Sequence, residues 1–361
     1  MTSAEFKGYI PVIDMSKSNE KELSNDLFSA FTKIGFATLI NHGINDALLS
    51  RAFASSQSFF SLPLDVKIRY KYQSHTSNRG YIPMGTETHD QFNETGESDK
   101  KETLDIGPEE DMKCDWTIVT ADTHYGNQWP LLSYEEREEI CCNDFDAQQF
   151  RSTMIEYFST MDELHMKLLR LLAQAIKLDD AEYFVKRCNT QHQNLRLLHY
   201  PTLHFKPSSE RKDREPEVVV RGNIHTDFGT LTLLTQDVVG GLRIQTLEEQ
   251  WINVPPVPNG IAVNVGDMLQ RWTNGVLRAT PHQVISMIHR TDEEQSQSIS
   301  TIVIPERYSI AFFCNANRDI MLECLPCCVS AERPVQFDPI NAHAFITMRL
   351  QQTIATNGAD V

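Results

Sequence analysis

Residues 223–245 read NIHTDFGTLTLLTQDVVGGLRIQ, residues 251–284 read WINVPPVPNGIAVNVGDMLQRWTNGVLRATPHQV, and residues 307–313 read RYSIAFF. Their apolar residues recur at period two in short runs: Leu231 to Leu234, Leu242 to Gln245, Ile261 to Val265, Gln283 to Ile288 and Tyr308 to Phe313. Leu195 to Tyr200 adds another such run upstream. Gly240-Gly241, Pro255-Pro256 and Asn259-Gly260 punctuate them. Short strands with tight turns predict a sandwich or jelly roll. Two charged inserts, 206–217 and 290–299, read as solvated loops within it.

Working outward, Ile10 to Asp14 reads as a strand. Asn19, with Glu22 three residues on, reads as a helix cap. Leu23, Leu27, Phe28, Phe31 and Ile34 then share a helical face, Gly35 ends it, and Phe36 to Ile40 returns as a strand before a turn at Asn41-His42-Gly43. Residues 85–116 are polar and acidic, and are expected to form a long surface excursion or lid. The longest helix is predicted over about 147–177, with Met154, Tyr157, Phe158, Met161, Leu164, Leu168, Leu171 and Leu172 as a core stripe. His165, beside the stripe, reads as packed or half-exposed. The expected class is α+β, mainly β: a jelly-roll core flanked by helices. The expected division is an N-terminal α/β region (1–120), a helical brace (121–190), the core (191–335) and a C-terminal segment (336–361).

Charge excludes some functions. Lys and Arg number 33 against 49 Asp and Glu, a net −16, so neither nucleic acid nor an anionic membrane surface is an expected partner. No apolar run reaches the roughly 18–20 residues of a membrane span, and neither end carries a recognisable targeting signal. Eight cysteines in 361 residues do not make a disulfide scaffold, and the expected compartment is the reducing cytoplasm. The lone Cys324-x-x-Cys327 reads as free thiols rather than a redox pair or half a zinc site, since no second pair lies near it.

Chemistry concentrates at His225-Thr-Asp227. On a strand, residues i and i+2 share a face, so an imidazole and a carboxylate would project together. Alone the pattern is common. His282, 55 positions on, supplies a third donor. Two His and one carboxylate form a facial triad that can hold Fe(II) with open positions for a co-substrate and O2. Arg307-Tyr-Ser309 repeats the i, i+2 logic as a carboxylate clamp, near the metal if its strand lies beside that of His282.

The three quoted stretches, with IPVIDMS, GFATLINHGI and NRGYIPMG near the N-terminus, resemble the isopenicillin N synthase-like family of 2-oxoglutarate and Fe(II)-dependent oxygenases over most of the chain. The resemblance implies a double-stranded β-helix. It implies His225, Asp227 and His282 as iron ligands, and Arg307 and Ser309 as the clamp for 2-oxoglutarate, with Tyr200 contacting it. It implies Phe313 beside the organic substrate. Arg79 and Tyr81 are expected at the substrate mouth. Asp267 and Asn274 read as turn residues.

Leu198-His199-Tyr200-Pro201 departs from the Asn-Tyr-Tyr-Pro of many plant members, which removes an Asn contact to co-substrate. His199 is then either a hydrogen-bond donor behind the site or a residue facing away from it. His282 and Arg307 are also 25 positions apart, longer than is usual in the family. The expected activity is oxidation, hydroxylation above all, of a small organic molecule such as a natural-product intermediate, releasing succinate and CO2. Desaturation or ring chemistry on the same iron, or a non-catalytic jelly-roll binder, are the alternatives. The sequence leaves oligomeric state open, and its departures look more microbial or fungal than plant.

Overall fold

The computed structural model describes residues 9–73, 78–87, 98–109, 126–132, 145–190, 192–205, 217–288 and 301–353. In chain order the strands are β1 (Val12–Asp14), β2 (Phe36–Ile40), β3 (Gly80–Ile82), β4 (Glu102–Ile106), β5 (Asn194–Tyr200), β6 (Leu203–Phe205), β7 (Glu217–His225) and β8 (Leu231–Gln236). They continue with β9 (Leu242–Gln245), β10 (Trp251–Asn253), β11 (Ile261–Val265), β12 (His282–Ile288), β13 (Ile302–Ile304), β14 (Arg307–Phe313), β15 (Met321–Leu322) and β16 (Ile340–Asn341). An eight-stranded sheet runs β1-β2-β11-β8-β14-β5-β4-β3, and a four-stranded sheet runs β10-β9-β12-β7. Leu198, Tyr200 and Ala311 of the larger sheet pack with Leu242, Ile244, Ile252 and Val284 of the smaller one. This is the expected jelly roll. Strands from before and after residue 120 share the larger sheet, β2 pairing with β11 and β4 with β5.

Helices cover the outer face of the larger sheet. Asn19 caps helix Glu20–Lys33 by accepting from the Glu22 N–H, and Leu23, Leu27, Ala30 and Phe31 turn inward. Gly35 stops that helix at φ 77°, where a Cβ would meet the Arg278 carbonyl oxygen at 2.2 Å. Helix Asp46–Phe60 packs beside the long helix Ala147–Ala175. Asp146 caps the long helix through the Gln148 and Gln149 N–H groups. Its Met154, Tyr157, Phe158, Met161, Leu168 and Leu172 are fully buried. Each such large apolar side chain contributes about 1.5–3 kcal/mol. His165 is wholly enclosed, with Nε2 3.3 Å from the Thr230 hydroxyl.

One expectation is overturned. The polar run 85–116 is not all surface excursion: β4 lies inside the larger sheet, buried at all five residues, and pairs with β3 and β5. Its charges are internal because each has a partner. Lys67 donates to Glu102 at 2.8 and 3.0 Å, and Arg196 grips Asp105 with two bonds of 2.7 Å. Residues 88–97 and 110–116, where a lid would lie, fall outside the described residues, as do 206–216 and 289–300 of the two inserts.

Near the C-terminus, helix Ala342–Thr353 docks Ala342 and Phe345 into the main core. Arg349 of this helix bonds Asp267 and lies over the Phe228 ring, 4.4 Å from its centre. Among the described residues, no helix is long and apolar enough to cross a membrane.

Candidate active site

His225 is the last residue of β7 and His282 the first of β12. Antiparallel pairing sets the two directly opposite, and their ring centres are 4.4 Å apart. Asp227 does not share the β7 pleat as i, i+2 logic expected. The strand ends at His225, and Asp227 arrives through the following turn, which is pinned when the Asp267 N–H donates to the Asp227 carbonyl at 2.8 Å. The outcome is nevertheless a tight trio. Asp227 Oδ1 lies 3.7 Å from His225 Nε2 and 3.6 Å from His282 Nε2.

The remaining polar atoms of the trio are committed elsewhere. His225 Nδ1 is 2.8 Å from the Asn223 carbonyl, and His282 Nδ1 is 3.0 Å from the Thr280 carbonyl. A carbonyl only accepts, so each Nδ1 carries a proton, and Nε2 is the ring nitrogen each histidine turns toward Asp227. Asn264 donates to Asp227 Oδ2 at 2.7 Å, which leaves Oδ1 toward the imidazoles. Burial acts to raise the Asp227 pKa, but the two imidazoles and the Asn264 bond outweigh it, and the carboxyl stays below its ordinary range. Two imidazole Nε2 atoms and one anionic oxygen form a donor set that fits a divalent iron with open positions. Among the described residues this is the one cluster of three or more His, Cys, Asp or Glu placed to share an ion.

Arg307 and Ser309 stand on β14, between β8 and β5 of the larger sheet. Their strand does not lie beside that of His282 but on the opposing sheet, and they line the same cavity as the trio from there. Arg307 Nη1 donates to Ser309 Oγ at 2.9 Å, Nε to the Gly240 carbonyl at 2.6 Å and Nη2 to Gln236 at 3.2 Å. Tyr200 is its pairing partner, and the guanidinium sits 4.9 Å from the Tyr200 ring centre. Leu198, Leu234, Leu242 and Val284 give this end of the cavity apolar walls.

The half-buried Phe313 lines the other end. Arg79 and Tyr81 do not line the cavity. Arg79 lies against Gly107 and donates to Asn194 at 3.1 Å. Tyr81 is buried in the main core with its hydroxyl bonded to Glu102. His199 points away from the cavity, stacked on Tyr308 at 4.5 Å, with Nδ1 2.7 Å from Glu102. Asn274 holds a turn at φ 48° and donates to the Pro334 carbonyl at 3.1 Å.

The fold and trio can be set against known proteins. Residues 10–131 match the family model for the N-terminal region of non-haem dioxygenases in morphine synthesis, and residues 191–316 match that of the 2OG-Fe(II) oxygenase superfamily. The 2-oxoglutarate-dependent dioxygenase frbA of Dothideomycetidae sp. is 32% identical over 314 residues, 86% of this chain and 84% of that protein. The chain belongs to the 2OG-Fe(II) oxygenase superfamily. It is a 2-oxoglutarate- and Fe(II)-dependent dioxygenase. The oxygenase is also 31% identical to the 2-oxoglutarate-dependent dioxygenase htyE of Aspergillus rugulosus, over 91% of this chain and 92% of that one. A full-length Neurospora crassa protein, solved in complex with α-ketoglutarate and thymine, overlays with a TM-score of 0.77 at 29% identity, covering 96% and 98% of the two chains.

Sequence reasoning missed several cavity residues: Asn264, Arg196, Lys101, Glu87, and Ile346 and Leu350 of the C-terminal helix. For Arg196 a signal existed, since it shares the β5 face of Tyr200 at even spacing.

Proposed function

We propose that His225 Nε2, Asp227 Oδ1 and His282 Nε2 hold the iron, and that Arg307 and Ser309 receive the distal carboxylate of 2-oxoglutarate with Tyr200 beside it. The reaction we assign is hydroxylation of a C–H bond in a small organic molecule, of the natural-product intermediate class. One observation carries this reading: the two Nε2 atoms and Oδ1 converge with their other polar atoms already bonded, facing a cavity that also holds a buried guanidinium bonded, among the described residues, to neutral groups.

When bound, iron with 2-oxoglutarate and O2 supplies the oxidant, and 2-oxoglutarate leaves as succinate and CO2. The protein's own work is placement. Asn264 and the Asn223 and Thr280 carbonyls fix the three ligand side chains so that little reorganisation accompanies reaction. The apolar walls keep water from the co-substrate and strengthen the Arg307 charge toward a carboxylate. Phe313 and Phe228 line the cavity where a substrate would rest on the trio's open side. We further propose cytoplasmic residence, supported by free thiols at Cys188, Cys314, Cys324, Cys327 and Cys328; subcellular fractionation tests it.

Anaerobic titration of the apoprotein with Fe(II) and then 2-oxoglutarate tests the site. A visible charge-transfer band is expected in the wild type, absent in Asp227→Ala and demanding far more 2-oxoglutarate in Arg307→Ala. A full band in Asp227→Ala would overturn the ligand assignment. Succinate released one-for-one with an alcohol product would support hydroxylation over desaturation.

A further inference from the structure

Along β5, Asn194, Arg196, Leu198 and Tyr200 all face the cavity at period two. Tyr200 pairs with Arg307 and Leu198 with Ser309, so that half of the strand belongs to the co-substrate end. Arg196 pairs with Ala311 and Asn194 with Phe313, four to six residues farther on. At about 3.3 Å per residue, Arg196 stands roughly 13 Å from Tyr200. The cavity therefore has a second polar pole, displaced along β5 from the end that holds Arg307 and Tyr200.

This pole joins two cations, Arg196 and Lys101, to three carboxylates, Asp105, Glu87 and Asp99. Arg196 Nε and Nη2 each reach Asp105 at 2.7 Å, while Nη2 and Nη1 lie 3.1 and 3.2 Å from Glu87. Burial opposes the Arg196 charge, but the two carboxylates outweigh burial and raise its pKa. Lys101 is likewise bonded to Asp99 and lies 3.8 Å from Glu87. Of the five N–H donors on Arg196, one on Nη1 is left over. An anion arriving here would meet two cations already outnumbered by their three carboxylate partners. A neutral group could take the spare N–H and offer its own to a Glu87 oxygen. Asn194 and Asn78 at the same pole line it with amides, and the Phe313 ring, 5.9 Å from the guanidinium carbon, offers an aromatic surface.

We infer that the pole formed by Arg196, Glu87, Asn194 and Phe313 receives an uncharged planar group that both donates and accepts hydrogen bonds, an amide, lactam or imide, and excludes carboxylates. This deepens the site assignment above and rests on it: the amide end of the substrate anchors at Arg196, and the oxidised carbon lies between that anchor and the trio. Arg196 is a specificity-determining residue for the organic substrate, whereas Arg307 serves the co-substrate.

The test uses 2-pyridone (a planar lactam), benzoate (a planar anion) and toluene (a planar hydrocarbon). Each is titrated into the full-length protein loaded anaerobically with Fe(II) and 2-oxoglutarate, and the shift of the charge-transfer band is read. The lactam is expected to bind at least about tenfold more tightly than either rival, because a site built for hydrogen bonds rejects groups lacking them. Arg196→Lys keeps a cation for Asp105 but loses the planar fork. It should keep 2-oxoglutarate affinity while its lactam preference collapses. Equal binding of all three probes, tighter binding of benzoate, or an undiminished preference in Arg196→Lys would overturn the inference. Calorimetry of the apoprotein with the same probes separates the two claims. A lactam preference there, with no charge-transfer band in the loaded protein, would retain the pole and refute the iron reading.

Discussion

Arg307 and Arg196 occupy neighbouring antiparallel strands, face one cavity, and are only 2% and 8% exposed, yet their surroundings are opposite. Arg307 is bonded to a hydroxyl, a backbone carbonyl and a side-chain amide, all neutral. Arg196 is bonded to two carboxylates. A buried cation without a counter-ion is costly. At Arg307, on the proposed assignment, the carboxylate of the co-substrate would offset that cost. At Arg196 it is offset within the fold. Lys67, held by Glu102 and the Phe60 carbonyl, follows the Arg196 pattern. The difference teaches that a buried arginine points to an anion site only when its counter-charge is missing from the protein.

The largest expected effect is on folding. Asp105→Asn removes the two-bond partner of Arg196, leaves only Glu87 beside it, and should lower the unfolding free energy by up to about 3–5 kcal/mol, as breaking a buried pair does. Denaturant titration showing a loss below about 1 kcal/mol would erase the contrast between the two arginines. Arg307→Met should behave in the reverse way. Affinity for 2-oxoglutarate falls by roughly two to three orders of magnitude, as for a truncated buried charge partner, while apoprotein stability holds or rises. Equilibrium binding and thermal unfolding of one preparation read both. Asn264→Ala leaves all three ligands in place but frees Asp227 Oδ2, and Fe(II) affinity should drop about 10–100-fold by metal titration.

The smallest effect sharpens the compensated side. Burial acts to raise the Glu102 pKa, but His199, Lys67 and Tyr81 outweigh it, and the folded value lies below the ordinary 4.5. A depressed carboxyl pKa adds stability above the unfolded value, and that share is lost as pH falls through the folded one. Wild-type stability should therefore decline below about pH 4.5, and Glu102→Gln should flatten that limb. An unchanged acid limb in the variant would exclude Glu102 as a source.

How much of this the chain announces depends on how far apart the partners lie. The trio and the clamp are marked by local spacing, His225-x-Asp227 and Arg307-x-Ser309, and period two exposed most of the strands around them. β4 went unseen because Glu102 and Asp105 are buried only by virtue of Lys67, His199 and Arg196, which lie 35, 97 and 91 positions away. One sequence does not display such pairings, so internal charges there read as surface. Tyr81 was misplaced for a related reason: its phenol ends in the core, tied to that same Glu102. Which strands share a sheet is likewise not written in the spacing, which leaves open whether β14 lies beside β12 or across from it.

The C-terminal helix has a consequence in the order of synthesis. The strands bearing the trio are complete at Ile288, whereas Ile346 and Leu350 emerge about sixty residues later. At roughly 5–20 residues per second the nascent chain spends several seconds with the strands of the trio made while first β14 and then the C-terminal helix are still to come. Synthesis thus makes the floor of the pocket before the walls that close over it.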